Sequence, residues 1–242
     1  MTDDSNKLQE ILDELSKDAT HIISSPSTIK QLQDKGLPIQ STFTTFEEYI
    51  DKLFTEKRRN ALDLVKKLPQ LDNAIASGVI ADIYEEIRSS YALGIFTSTI
   101  INSILLMEFA MRDRLYKERL KHDPNSPWED LEKLDMDALI QQLFKNSIIT
   151  KEEKEKLVDF SKNFRNPYFH INIQKLTKGV VIARLPQINV ATQEVIELKN
   201  VDASKHKFLW FAAKRFFDKY HVIGVVNYCV DWTNKLLKYQ EL

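Results

Sequence analysis

Helical periodicity is strongest in residues 80–120, which read IADIYEEIRSSYALGIFTSTIINSILLMEFAMRDRLYKERL. This stretch contains no proline and a single glycine, Gly94. One set of its side chains recurs every three or four residues, the spacing that places residues on one face of an α-helix. The members of this set are Leu93, Thr97, Ile100, Ile104, Met107 and Met111. The stretch therefore predicts one or two long helices in the core of the protein.

Further helices are predicted on both sides of this stretch. Apolar side chains at helical spacing indicate helices in residues 7–17, 46–67, 135–146 and 150–165. A last helical stretch is predicted from Asp202, its N-cap, to Leu237, as one helix or two. Two of these helices are expected to begin at a capping box, because Glu48 follows Thr45 and Glu153 follows Thr150 by three positions. Ser, Thr and Pro punctuate residues 18–43, which predicts a loop or an arm.

The character of the sequence changes between residues 178 and 199. Val180, Val181 and Ile182, and later Val195 and Ile196, are β-branched, and turn-forming residues lie around them. This pattern predicts a small β-hairpin inserted into a helical protein. The expected fold is therefore an all-α bundle with an N-terminal helical arm at 1–44 and one domain at 45–242 that carries the hairpin at 178–199.

Composition excludes several classes of protein. Only 5 of the 242 residues are glycine, which argues against phosphate-cradling loops and a dinucleotide-binding fold. The formal net charge of -1 means that any nucleic-acid surface must be a local patch. The single cysteine, Cys229, excludes an internal disulfide and fits a reducing compartment. Because no signal peptide or membrane-spanning stretch is visible, we expect a cytoplasmic protein without membrane contact.

One segment, NFRNPYFH at residues 163–170, differs from the rest of the helical pattern. Pro167 disfavours helical backbone at Asn166, and an Asn-Pro pair is favoured at the start of a helix. We therefore predict that one helix ends near Arg165 and another begins at Pro167, with His170 in its first turn. Such a bend would bring a guanidinium, an imidazole and free N–H groups to one small volume that suits a phosphate.

The pattern Arg165-Asn166-x-x-x-His170 resembles the R-polar-x(3–5)-H motif of the HEPN superfamily, helical proteins that are often ribonucleases. Residues 91–97, leading to residues 106–112, are similar to the long HEPN helix that packs beside the motif and often carries an acidic residue, here Glu108. The resemblance covers about residues 75–175. It implies a HEPN-like bundle, a homodimer and metal-independent RNA cleavage without a cofactor. It also implies a toxin or antiviral defence context, in which an antitoxin or regulatory protein is a further partner.

The motif residues suit this chemistry physically, because RNA carries its own nucleophile, the 2′-OH. His170 can take the 2′-OH proton or protonate the leaving oxygen. Arg165 can hold the phosphate bidentately, while Asn166 caps the helix or donates to a phosphate oxygen. One chain supplies one such histidine, so a two-fold dimer is the simplest way to provide an acid and a base. The products would be a 2′,3′-cyclic phosphate and a 5′-OH.

Glu108 lies in an apolar context where an unpaired carboxylate is costly. Its partner is expected to be Arg112, one turn along the helix, or else Arg165 or His170, which it would then orient. Arg112 and Lys117 belong to a locally basic helix end that can guide an RNA backbone, although cations there also complement the helix dipole. Tyr168 is a candidate for stacking on an unpaired base, with filling of the cleft as the alternative.

Two interpretations compete at the level of function. The first is the metal-independent endoribonuclease, with Arg165, His170, Asn166 and Glu108 in catalysis and Tyr168, Arg112 and Lys117 on the substrate. The second is a catalytically inactive HEPN-like helical module that binds RNA, a nucleotide or a protein partner. Residues 205–220 combine cations with aromatics, but an amphipathic packing helix explains that pattern better than a nucleic-acid platform does.

Overall fold

The computed structural model describes residues 45–72, 78–188 and 195–238, together with Lys30 and Asp34. The predicted helix at 7–17 and almost all of the predicted arm at 1–44 lie outside these residues. Within them the chain is mainly α-helical, as predicted, and contains one two-stranded sheet. In chain order the helices are α1 Phe46–Val65, α2 Gly78–Ala92, α3 Phe96–Leu120, α4 Glu129–Glu132, α5 Met136–Lys145, α6 Lys151–Phe160, α7 Asn166–Phe169, α8 Ile173–Leu176 and α9 Trp210–Lys238.

The described chain divides into two compact units. The smaller unit contains the start of α1, up to Leu53, and residues 181–188 and 195–201. The larger unit contains the rest of α1 from Phe54 onwards, the other helices and all of the candidate site residues.

The core of the larger unit is built around α3, which packs against α2 on one side and α9 on the other. Four members of the predicted periodic set, Ile100, Ile104, Met107 and Met111, are fully buried on α3. Of the other two, Thr97 is half-buried, and Leu93 is exposed and lies before the start of α3. The long proline-free stretch forms two helices, and Gly94 lies between them with a φ of 65°. Because an L-residue with a side chain rarely adopts this left-handed conformation, the glycine allows the turn from α2 into α3.

Both predicted capping boxes are present. The backbone N–H of Glu48 donates to Thr45 Oγ1 at 3.2 Å, and the N–H of Thr45 donates to Glu48 Oε2 at 2.9 Å. Thr150 and Glu153 exchange the same two bonds at the start of α6. These side chains satisfy N–H groups that have no partner within the helix.

Asp202 caps a shorter element than predicted. Its carboxylate accepts the N–H of Ser204 at 3.0 Å and so begins the 3₁₀ turn Ala203–Lys205. A second 3₁₀ turn, Lys207–Leu209, follows before α9 begins at Trp210. From there α9 runs unbroken to Lys238.

The predicted hairpin consists of β1 Val181–Ile188 and β2 Val195–Asp202, which pair with each other. The six residues that connect them are too few for a parallel crossover, so the pairing is antiparallel. Arg184 Nε lies 3.8 Å from Glu197 Oε1 across the two strands.

Candidate functional site

The motif-bearing segment does not bend at Pro167 as predicted. Residues Ser161–Arg165 form a π-helical segment, and α7 follows it without interruption. Asn166 has helical dihedral angles, φ -64° and ψ -42°, and its N–H donates to Ser161 O, five residues earlier. The predicted N-cap at Asn166, and the free N–H groups of a new helix start, are therefore wrong. A π-bulge widens the helix by one residue and lets the chain continue past the proline.

Pro167 explains where this bulge lies. A proline inside an α-helix lacks an N–H and clashes with the carbonyl four residues earlier, so the backbone must widen or kink. In the π register, the carbonyl of Lys162 is the one that loses its donor at Pro167. Lys175 Nζ replaces this donor, with a hydrogen bond of 2.6 Å to Lys162 O.

The segment ends in a tight backbone turn. The N–H of Asn172 donates to Pro167 O at 2.8 Å, and the N–H of Ile171 donates to Tyr168 O at 3.3 Å. This bond pair is the Schellman motif, whose left-handed position is usually occupied by glycine. Here that position is Ile171, which has a φ of 48° and is exposed.

Glu108 lies at the centre of the candidate site. The residue is only 3% exposed and belongs to the buried face of α3. Arg165 Nε donates to Glu108 Oε1 at 2.9 Å, and Arg112 Nη2 approaches Glu108 Oε2 at 3.4 Å. Of the partners considered from the sequence, both arginines are therefore present at once. Two cations share one buried carboxylate, which leaves a net positive charge at this position.

Arg165 is held by more than this ion pair. Its Nη1 donates to Asn166 Oδ1 at 3.1 Å, and its guanidinium carbon lies 4.8 Å from the centre of the Phe169 ring. Among the described residues, no partner is found for its Nη2. The side chain as a whole remains 17% exposed, so part of it is in contact with solvent. Asn166 uses its carbonyl oxygen to orient Arg165 rather than to cap a helix.

His170 lies at the other end of the motif. It occupies the C-terminal cap of α7, not the first turn of a new helix, and it is exposed. On a continuous α-helix, positions five residues apart are separated by about 140°. Arg165 accordingly turns towards α3, whereas His170 faces solvent. No hydrogen bond or ion pair holds the His170 side chain within the described chain.

Tyr168 lies within the packed interior, which agrees with the alternative that its ring fills the cleft. The residue is buried, and its hydroxyl donates to Asp218 Oδ1 at 2.6 Å. Burial raises the pKa of Tyr168 well above its ordinary value, and the bond to Asp218 adds to this shift. Asp218 is also buried and pairs with Lys214 at 2.6 Å. Tyr168 therefore anchors the motif to α9.

The basic end of α3 is largely engaged with protein groups. Arg112 donates to the carbonyls of Leu131 and Leu134, at 3.3 Å and 3.0 Å, in addition to its contact with Glu108. Lys117 pairs with Asp113 at 2.7 Å. Arg112 is therefore engaged by protein groups, while the partly exposed Lys117 retains access to solvent.

Residues 210–220 belong to a helix that packs by one face, as the favoured sequence interpretation predicts, but most of the aromatic residues in this stretch lie on the other face. Phe211, Phe216 and Tyr220 follow helical spacing, but they are exposed on α9 rather than packed. The periodicity locates one face of a helix without showing whether that face is buried. The excess of cations among these aromatics was the signal for an exposed surface.

Two cavities lie beside the helical run that carries the motif. One has a volume of about 700 Å³ and is lined by Phe160, Phe164 and Tyr228 together with carboxylates of α6. The other has a volume of about 750 Å³ and is lined by lysines, which are Lys175, Lys178 and Lys205. His221 lines both, and burial lowers the pKa of its imidazole.

The fold and this site define a mainly helical protein with a buried carboxylate–guanidinium centre. No known family, curated protein or solved structure matches the chain. Among the described helices, none combines the length and the apolar character that a membrane span requires. The described residues also contain no group of three or more His, Cys, Asp or Glu side chains arranged to hold a metal ion.

Proposed function

We propose that this protein is a HEPN-type, metal-independent endoribonuclease that acts as a homodimer. The observation that carries the proposal is the anchoring of Arg165 by buried Glu108, which fixes a guanidinium with one unengaged edge in the same helical run as the exposed His170. Together, Arg112 and Arg165 carry one positive charge more than the Glu108 carboxylate neutralises, and this excess charge favours the binding of a phosphate. By the same proposal, the protein is located in the cytoplasm and serves as a toxin or in antiviral defence.

Each motif residue has a distinct task in the proposed reaction. Arg165 binds a non-bridging phosphate oxygen through Nη2 and stabilises the charge that develops on the phosphorane. Asn166 and Glu108 are positioning residues, because they hold the guanidinium of Arg165 in place and do not contact the substrate themselves. One His170 takes the proton of the 2′-OH, and a second protonates the 5′-oxygen as the P–O bond breaks. The products are a 2′,3′-cyclic phosphate and a 5′-OH.

A homodimer supplies the second histidine. Within one chain, a continuous helix directs Arg165 and His170 to different sides, and His170 has no partner among the described residues. A two-fold axis close to His170 would bring two imidazoles together, because an isologous contact repeats the same surface on both copies.

The decisive experiment is RNA cleavage in the presence of a chelator. We expect purified protein to cut single-stranded RNA, leave cyclic phosphate ends and spare DNA of the same sequence. His170→Ala should lower the rate by at least about 100-fold, the usual contribution of a general acid or base. His122→Ala is the matched control, because His122 is also exposed but lies at the end of α3. A requirement for added magnesium, or full activity of His170→Ala, would refute the mechanism.

The second candidate is an inactive HEPN-like module that binds RNA, a nucleotide or a regulatory protein. The observation in its favour is that Arg165 already has a buried carboxylate as its partner, with Nε 2.9 Å from Glu108 Oε1. RNA binding without any cleavage by the wild-type protein would select this candidate.

A further inference from the structure

The first half of α9 exposes an unusual group of large side chains. Phe211, Phe216 and Tyr220 are 73%, 63% and 73% exposed. At 100° per residue, the exposed side chains of this segment occupy about one half of the helix circumference, and the buried ones, among them Ala213 and Asp218, occupy the other half. We call this exposed half the aromatic face; its residues are Phe211, Arg215, Phe216, Lys219 and Tyr220. Contiguous exposed aromatics mark binding surfaces.

Cations accompany these aromatic rings. The Arg215 guanidinium lies 5.6 Å from the centre of the Phe211 ring, and Lys219 is exposed one turn further along. The sole carboxylate between residues 203 and 221 is Asp218, which is buried and paired with Lys214. The aromatic face is therefore locally positive, although the whole chain has a net charge of -1.

A series of ring contacts connects this face with the helical run that carries the motif. The rings of Phe216 and Tyr220 are nearly parallel, with centres 6.4 Å apart. Tyr220 contacts His221 at 5.0 Å, and His221 contacts Phe164 at 5.8 Å. Phe164 directly precedes Arg165 in the chain. The cavity of about 750 Å³ that contains Lys175, Lys178 and Lys205 also includes Phe164 and His221 in its wall, together with Asp202, so it adjoins both the rings and the motif helix.

We propose that the aromatic face binds single-stranded RNA and leads it towards the Arg165–His170 motif. Bases of any sequence can stack on exposed rings, while Arg and Lys contact the phosphates between them. This inference rests on the proposed function and adds the surface that holds the substrate. A second copy of the chain fits the face less well, because a two-fold contact would bring the cations Arg215 and Lys219 close to the same cations of the other copy, and residues 203–221 supply no exposed carboxylate to separate them.

The test is a binding titration with a fluorescein-labelled single-stranded RNA of mixed sequence, followed by anisotropy. His170→Ala serves as the parent protein so that the probe is not consumed. We expect Phe216→Ala with Tyr220→Ala to weaken binding about 10-fold, the effect of losing a stacked base. Lys219→Glu should weaken binding and reduce the slope of log affinity against log salt by about 0.7. Phe54→Ala, an equally exposed ring on α1, is the matched control and should leave the affinity unchanged.

Two further probes sharpen the result. Duplex RNA of the same sequence should bind more weakly, because its bases are not free to stack. Single-stranded DNA should bind nearly as well as RNA but remain uncut, since stacking does not require the 2′-OH that cleavage needs.

The proposal is overturned if the parent protein binds no single-stranded RNA, or if the aromatic and charge variants bind it as tightly as the parent. It is also overturned if these variants separate a dimer into monomers while RNA affinity stays constant, since the face would then lie between copies. Binding through the face without cleavage by the wild type would refute the nuclease and leave this surface standing. If the wild type cleaves RNA and the face variants cleave it equally well, the nuclease stands and the aromatic face is refuted as its RNA-binding surface.

Discussion

Glu108 occupies a position where a carboxylate is costly, and its two partners explain why it is tolerated there. A buried charge that loses its partner destabilises a protein strongly, whereas a paired one contributes little net stability. Here one carboxylate faces the two guanidinium groups of Arg112 and Arg165. The centre therefore keeps one positive charge in excess, and this charge is what a phosphate would meet.

Substitution of Glu108 should be among the more damaging changes in the chain. Glu108→Gln leaves two partly buried guanidinium groups without a counter-charge, so we expect the free energy of unfolding to fall by about 3 kcal/mol. Urea denaturation followed by circular dichroism measures this loss. Glu85→Gln is the control, because Glu85 pairs with Arg88 at 2.6 Å on the surface and should cost less than about 1 kcal/mol. Equal losses in the two variants would contradict the central role of Glu108.

Ile171 offers a change in the opposite direction. Its φ of 48° places a β-branched residue in the left-handed region, which costs about 1–2 kcal/mol relative to glycine. Replacement of Ile171 by glycine would relieve this strain, but part of the stability gained is offset because glycine makes the unfolded chain more flexible. We therefore expect Ile171→Gly to raise the free energy of unfolding by about 0.5–1 kcal/mol.

The control for this variant is Leu105→Gly. Leu105 is also an exposed aliphatic residue, but it lies within α3, where glycine should destabilise the helix by about 1 kcal/mol or more. Chemical denaturation of both variants gives the comparison. Destabilisation by Ile171→Gly would show that the isoleucine side chain itself holds the turn.

At the scale of the helical elements, the run from α6 to α7 is shaped by one proline. Pro167 removes a backbone donor, the helix responds with the π-helical segment Ser161–Arg165, and Lys175 satisfies the carbonyl that is left over. A π-bulge rotates the residues beyond it relative to a regular α-helix, and such bulges are frequent at functional sites. The bulge ends at Arg165, so it sets the direction in which the guanidinium leaves the helix.

The start of α6 is also linked to the far end of α9 through Glu153 and Lys235. The hydrogen bond from Lys235, together with the backbone N–H of Thr150, lowers the pKa of Glu153 from 4.5. A carboxyl group with a lowered pKa in the folded state stabilises the protein above its unfolded pKa. This contribution disappears as the pH falls below about 4.5, through the folded pKa.

Glu153→Gln tests this pH dependence. Glutamine still closes a capping box, so the variant removes the ion pair and keeps the cap. At pH 7 we expect it to be less stable than the wild type by under about 1 kcal/mol, because both side chains are partly exposed. Melting curves from pH 7 down to pH 3 should show the two proteins converging below about pH 4.5. A difference that stays constant with pH would contradict the ion pair as its cause.

The local signals in the sequence identified most of the helices, but not the path through the motif. The capping boxes at Thr45 and Thr150 depend on residues three positions apart, so they can be recognised from the sequence alone. The effect of Pro167 cannot be recognised from the sequence alone, because a proline can be accommodated by a new helix start or by a π-bulge. The choice between them depends on distant groups, namely Lys175, which satisfies the freed carbonyl, and Glu108, which holds Arg165.

At the scale of the whole molecule, the same limit appears in α9. Its aromatic residues recur with helical spacing, which predicted a buried face, yet the structure buries Ala213 and Asp218 and exposes Phe211 and Phe216. Which face of α9 is buried depends on how the helices pack around α3, and a local sequence pattern does not determine this packing alone. The partners of Glu108 were predictable as a short set of candidates, because a carboxylate in an apolar helix needs a cation within reach.

The last prediction concerns the number of chains that form one active site. If two His170 residues act together, a dimer with one wild-type and one His170→Ala chain has lost either the acid or the base. In an equal mixture of the two proteins, random exchange leaves about one quarter of the dimers fully wild type. Once subunits have exchanged, RNA cleavage should therefore fall to about one quarter of the activity of pure wild-type protein at the same total concentration. At other ratios the activity should vary with the square of the wild-type fraction. Light scattering should show a dimer under the same conditions. A linear decrease to one half, or a strict monomer with full activity, would mean that each chain carries a complete site and that the acid must be sought within a single chain.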